Sequence, residues 1–312
     1  MRKIETMALR LTIIVALLLC LTAWADTLRG TPIRPASIYL SPDSNSNKLA
    51  DIDRGREVII METSGDWLHV EAVLTEEKII TGWMLNKGVV QASTPNGDRI
   101  VFGEAVDSED QASQRHGRRG AAQDAMRLYY RTAEYFPHSP LASEAMYRSA
   151  DIRWQIEKAD VMSRPSAKEK EAYLREGMNE DFMKEVMKKF PGTKWADLAA
   201  FHLIDNKLCG EWQASSKCPE KEAEMYEKYA NDHPQSPALV EALYDAAWRR
   251  SALIEIYKTE NQAKKSDESR GKAIALAQKA VTQAPQSDWG TRAQRLLFMI
   301  EQNIPTYGNG VD

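Results

Sequence analysis

Phe136-Pro137-His138-Ser139 recurs in outline as Phe190-Pro191-Gly192-Thr193, His233-Pro234-Gln235-Ser236 and Ala284-Pro285-Gln286-Ser287. Each is a proline with Ser or Thr two residues on, set between apolar stretches of helical period. Aligned on the proline, the flanks agree. Leu128, Phe182, Met225 and Leu276 stand nine residues before it, and Ala133, Met187, Ala230 and Val281 four before it. Ala145, Ala199, Ala242 and Ala293 stand eight after it. The prolines are 54, 43 and 51 residues apart.

The unit follows from local physics. Apolar residues nine, eight, five, four and one before the proline share one face of a 3.6-residue helix. Proline disfavours helical geometry in the residue before it, so that helix stops there. The Ser or Thr two residues on can accept from the free N–H groups of a following helix, a cap worth ~1 kcal/mol. The alanine two turns into that second helix lets another helix approach closely. Each unit is therefore a helical hairpin, and hairpins that cannot bury their apolar faces alone stack into a solenoid.

The stretches "FPHSPLASEAMYRSA" (136–150) and "HPQSPALVEALYDAAW" (233–248), each behind an aromatic-bearing first helix, resemble tetratricopeptide repeats. They include the variant found in the outer-membrane assembly lipoprotein beside the barrel-insertion machine. The units here exceed that family's period of about 34 residues, so longer helices and inserted loops take up the difference. The resemblance spans residues 119–304 and implies an all-α solenoid that binds partner proteins.

Residues 27–92 carry a different pattern. Glu57-Val58-Ile59-Ile60-Met61 is strand-like, Ser64-Gly65-Asp66 is a turn, and Trp67-Leu68-His69-Val70-Glu71 alternates with period two. Short strands with turn chemistry every 8–12 residues predict a small β-barrel. "SIYLSPDSNSNKLADIDRG", "SGDWLHVEA" and "TGWM" resemble a bacterial SH3-like domain. Trp67 and Trp83 stand at that family's Trp-bearing strand and Gly-Trp closure. Leu40 replaces an arginine many members carry. The resemblance implies a wall or extracellular ligand, with Tyr39, Trp67 and Trp83 as candidate groove residues. Read from the residues alone, Trp67 and Trp83 are core.

The fold class is thus multidomain, β plus α: a small SH3-like β-barrel, then a tetratricopeptide-like solenoid. Residues 93–118 read as a polar linker and 305–312 as a disordered tail. Ser166 to Glu169 carries a capping-box pattern that starts a helix. Lys258 to Gly271 reads as a solvent-facing bridge.

Residues 1–25 read as a secretory signal. Arg2 and Lys3 precede an apolar run from Leu11 to Leu21, and Ala23-Trp24-Ala25 supplies small residues for cleavage before Asp26. Lipidation at Cys20, in Leu17-Leu18-Leu19-Cys20, is a second reading, set back by the bulky Leu19; an uncleaved anchor is a third. No second apolar run is present, so the mature chain has no transmembrane segment. The whole chain has a net charge of −4, and the part after residue 25 has −6. That disfavours nucleic acid as a partner. With Cys20 removed, Cys209 and Cys218 form an isolated pair, read as a disulfide in an oxidising compartment. Two separate thiols are the alternative.

The chemistry-bearing residues give no catalytic constellation. None of His69, His116, His138, His202 and His233 pairs at i, i+4, and no nucleophile elbow, phosphate loop or dinucleotide fingerprint occurs. No metal site or cofactor is expected. Glu144, Asp197, Glu241 and Arg292 read as solvated helix faces. Tyr129, Tyr130, Tyr147, Trp154, Phe182, Trp195, Tyr226, Tyr244 and Trp289 read as core, with a groove-facing subset open. The expectation is a non-enzymatic, periplasmic or secreted adaptor of a bacterial envelope that binds a partner protein or peptide, with peptidoglycan as a second candidate ligand. An outer-membrane assembly factor and an accessory to peptidoglycan remodelling are the alternatives.

Overall fold

The structure, a computed structural model, describes residues 28–75 and 77–308. The stretch read as a secretory signal, with Cys20, and residues 309–312 lie outside the described residues. The chain forms two compact units, one through Gly97 and one from Asp98.

The first unit is an antiparallel sheet of seven strands: β1 (Arg29–Pro32), β2 (Ala36–Tyr39), β3 (Lys48–Ile52), β4 (Val58–Ser64), β5 (Trp67–Thr75), β6 (Lys78–Leu85) and β7 (Val89–Gln91). Their spatial order is β3-β2-β6-β5-β4-β1-β7. Period-two alternation sends Leu68, Val70 and Ala72 inward, where they meet Ile38, Ile52, Val58, Ile60 and Met84. Gly65, at φ 56°, turns β4 into β5 with Ser64 opposite Trp67. Gly82 has a different task. A Cβ there would lie 2.6 Å from both Ile38 Cγ2 and the Tyr39 carbonyl oxygen, so only glycine lets β2 cross onto β6.

The second unit holds nine α-helices among the described residues: α1 (Gly97–Ser113), α2 (Ala121–Tyr135), α3 (Ala142–Met162), α4 (Asp181–Lys189), α5 (Lys194–His202), α6 (Lys217–Asp232), α7 (Leu239–Thr259), α8 (Ala263–Gln283) and α9 (Asp288–Glu301). α2/α3, α4/α5, α6/α7 and α8/α9 are the four hairpins, and the proline motif forms each turn. The residue before the proline has nearly one geometry in the first three: φ −126°, ψ 58° at Phe136; φ −129°, ψ 51° at Phe190; φ −125°, ψ 59° at His233. Ala284 is more extended, at φ −152°, ψ 74°. Thr193 and Ser287 cap α5 and α9 by accepting from Ala196 N and Gly290 N. Ser139 and Ser236 are each followed by a second proline and accept instead from Leu141 N and Ala238 N, so α3 and α7 start later. Ala145, Ala199, Ala242 and Ala293 are all fully buried.

Hairpins one and two pack through α3 on α4 and α5, and three and four through α7 on α8 and α9. Between hairpins two and three, Phe201 lies 5.1 Å from Tyr229 and 6.0 Å from Tyr226, ring to ring. The Tyr229 hydroxyl donates to the Asp197 carbonyl at 2.8 Å.

Four readings of the polar stretches need correction. Residues 93–118 are not a linker, because α1 occupies most of them. It buries Val101, Ala105 and Ser108 on one stripe, and Phe102 meets Tyr129 at 5.2 Å. Tyr129 donates to Glu109 at 2.6 Å, and Ser139 to Asp98 at 2.6 Å, so α1 belongs to the helical unit. Lys258 to Gly271 is not a solvent-facing bridge; it is the end of α7 and the start of α8, with Ser266 and Ser269 buried. Residues 165–168 form only a 3₁₀ turn. The described part of the C-terminal tail is docked: Thr306 is buried against Ser251 at 2.8 Å, and the Tyr307 ring lies 5.3 Å from Trp212.

Candidate binding surfaces

Tyr39, Trp67 and Trp83 do come together, but on the face of the sheet opposite its core. All three are half-buried, because alternation that buries Ile38, Leu68 and Met84 sends their neighbours outward. Tyr39 meets Trp67 edge-on at 5.8 Å, and Tyr39 stands opposite Trp83 across β2 and β6. The core reading of Trp67 and Trp83 is therefore corrected. His69, which the sequence did not single out, stacks on Trp83 at 4.8 Å and completes a four-ring surface.

A second surface lies in the helical unit and is built around a disulfide. Cys209 and Cys218 are bonded, with Cα atoms 6.1 Å apart. The ring they close carries Trp212 and two consecutive non-glycine residues in the left-handed region, Gln213 at φ 49° and Ala214 at φ 52°. Such a conformation is uncommon and persists only where surroundings impose it. Here they do. Cys209 N and Trp212 Nε1 both donate to Glu222 Oε1, at 2.9 and 3.2 Å. Ser216 donates from N and from Oγ to the two oxygens of Glu260.

Glu222, only 2% exposed, also receives Arg249 Nε on its other oxygen, at 2.8 Å. Arg249, 7% exposed, sends Nη1 to the Asp245 carboxylate at 3.3 Å and to its carbonyl at 3.2 Å. Its guanidinium lies 4.4 Å from the centre of Tyr226 and 5.4 Å from that of Trp248. Burial favours the neutral arginine, but Tyr226, Asp245 and Glu222 outweigh it and hold the charge on Arg249. Burial pushes the Asp245 carboxyl above the usual carboxylate range despite Arg249. Trp212, Trp248 and Tyr307 wall a groove of about 550 Å³ over this arginine. Trp212 and Trp248 are 5.0 Å apart, and Tyr307 accepts from Ala214 N at 3.3 Å.

Of the nine aromatics read as core, Tyr129, Tyr147, Trp154 and Tyr226 are buried, while Tyr130, Phe182, Trp195, Tyr244 and Trp289 are half-buried. None of the nine lines the groove. Its aromatic walls come from a loop, a helix and the tail, which share no sequence period. Three groups read as solvated are tethered or sheltered: Glu144 pairs with Arg148 at 3.1 Å, Asp197 with His233 at 2.7 Å, and Glu241 is half-buried. Among the described residues, no three His, Cys, Asp or Glu side chains are grouped so as to hold a metal ion. No helix of the described residues is long and apolar enough to cross a membrane.

No protein-family model matches the chain, and no curated protein matches its sequence.

Proposed function

We propose that this chain is an exported, non-enzymatic adaptor of the bacterial cell envelope. In this reading the β unit is SH3-like and the helical hairpins are tetratricopeptide-like, with lengthened units. The helical unit takes a partner protein or peptide, and the outer aromatic face of the β unit takes a wall or protein ligand. The disulfide supports an oxidising compartment. The observation that carries the binding role is the groove over Arg249. A loop in strained backbone, a buried ion pair and a docked tail converge to hold three aromatic side chains at its wall. The arrangement lies outside the four repeated turns and shares no sequence period with them.

Photocrosslinking in cells that make the protein tests the proposal. A benzoylphenylalanine in place of Tyr307 is compared with one in place of Lys264, whose side chain is 92% exposed on α8. The adaptor reading expects a discrete crosslinked partner from position 307 and none from 264. Equal crosslinking from both positions, or none from 307, overturns it.

A further inference from the structure

The groove over Arg249 has a property that says what kind of partner it takes. Three donors already bond Glu222, two at Oε1 and one at Oε2. Arg249 is different. Nε is committed to Glu222 and Nη1 to Asp245, and the plane is held between Tyr226 and Trp248. Nη2 has no acceptor among the described residues, and it is not among the nitrogens sealed from solvent without a partner. A buried, immobilised guanidinium thus turns one free N–H₂ edge toward an aromatic-walled groove.

Charge decides what that edge accepts. Among the described residues Arg249 is the only cation lining the groove, while Glu211 and Glu222 line it and Asp245 braces it from behind. Three carboxylates against one guanidinium repel a further anion, in a partly dehydrated site where repulsion is strong. A neutral carbonyl oxygen meets no such penalty. A polyproline II segment supplies such oxygens, since its backbone makes no internal hydrogen bonds and its carbonyls stay free. Its pyrrolidine rings also suit aromatic walls, and its entropy of ordering is low.

Resting on the adaptor reading above, we infer that the groove walled by Trp212, Trp248 and Tyr307 binds an extended, proline-bearing, non-acidic peptide segment of the partner, one of whose backbone carbonyls accepts from Arg249 Nη2. The specificity is then one of exclusion: acidic segments are rejected by Glu211, Glu222 and Asp245, and helical ones because their carbonyls are already used.

Selection of a displayed library of random dodecapeptides on the mature, disulfide-bonded protein tests this. The expected winners contain proline and lack Asp and Glu, and synthetic copies bind at least tenfold more weakly to Tyr307→Ala and to Arg249→Lys. Arg249→Lys keeps a cation beside Glu222 but removes the free edge. Because Arg249 is buried and that variant can lose its fold, Tyr307→Ala, in the tail beyond the helices, keeps the test decisive. Winners rich in Asp or Glu whose binding still depends on Tyr307 would overturn the ligand chemistry and leave the adaptor reading standing. Winners indifferent to Tyr307, or no winners at all, would overturn both.

Discussion

Replacing Ala199 by leucine probes the repeat geometry at one position. Ala199 is fully buried in α5, eight residues past Pro191, where the four-fold alignment puts alanine each time. Leucine adds three carbons to a site with no exposed surface. Overpacking of this kind costs ~1–3 kcal/mol. The nine-residue α5 can shift to relieve part of the strain, so about 1 kcal/mol is expected. Ala242→Leu makes the same change inside an extensive apolar cluster, on the 21-residue α7, and should sit nearer ~3 kcal/mol. Ala275→Leu is the matched control, exposed in the middle of α8. It should change stability by only tenths of a kcal/mol, since Ala and Leu have similar helix propensity. Urea unfolding followed by far-UV circular dichroism reads the total. Hydrogen exchange reads each hairpin separately, because a repeat array can unfold in parts. If Ala199→Leu and Ala242→Leu are as mild as Ala275→Leu, the stacking register described here is wrong.

Three further outcomes follow from particular contacts. With residues 1–25 removed by the export proposed above, thiol titration of the denatured, unreduced protein should find no free thiol from Cys209 or Cys218. Replacing both by serine should cost about 2–3 kcal/mol for a ring of this length, and two titratable thiols in the wild type would reject the bridge. Trypsin should cut first at Arg115 or Arg119, exposed in the turn between α1 and α2; early cleavage at Arg99 would show that α1 is not part of the packed unit. Burial and then Asp245 raise the Glu241 carboxyl above its usual range. A group whose folded value is raised binds its proton more tightly when folded, so its ionisation weakens the fold as pH climbs past the ordinary carboxylate value. Glu241→Gln should therefore raise the Tm relative to wild type at pH 7 and not at pH 4. An equal shift at both would show that charge is not the cause.

The parts legible from sequence were those with a strong local cause. A proline disfavours helical geometry in the residue before it, and alternation about Trp67-Leu68-His69-Val70 assigns a strand. The misread parts share a physical reason as well. α1 buries Val101, Ala105 and Ser108, and α8 buries Ser266, Ser269 and Ala273. A stripe of small and weakly polar residues packs closely yet has little hydropathy contrast, so α1 and the start of α8, through Gly271, read as solvated chain. Trp67 and Trp83 failed for the opposite reason. Strong hydrophobicity suggests core, but the pleat puts them on the outer face, and period-two phasing with Leu68 and Met84 carried that information. The groove was out of reach. Trp212, Trp248 and Tyr307 are far apart in sequence, and only the disulfide, the Glu222 contacts and the docked tail bring them together.

The most direct test of the binding role is hydrogen exchange of the protein alone and in complex with the partner or peptide it captures. The groove reading expects slowed exchange across residues 208–217 and 244–252 and in the tail at 306–308. Protection confined to other helices, or unchanged exchange throughout the helical unit, would contradict it.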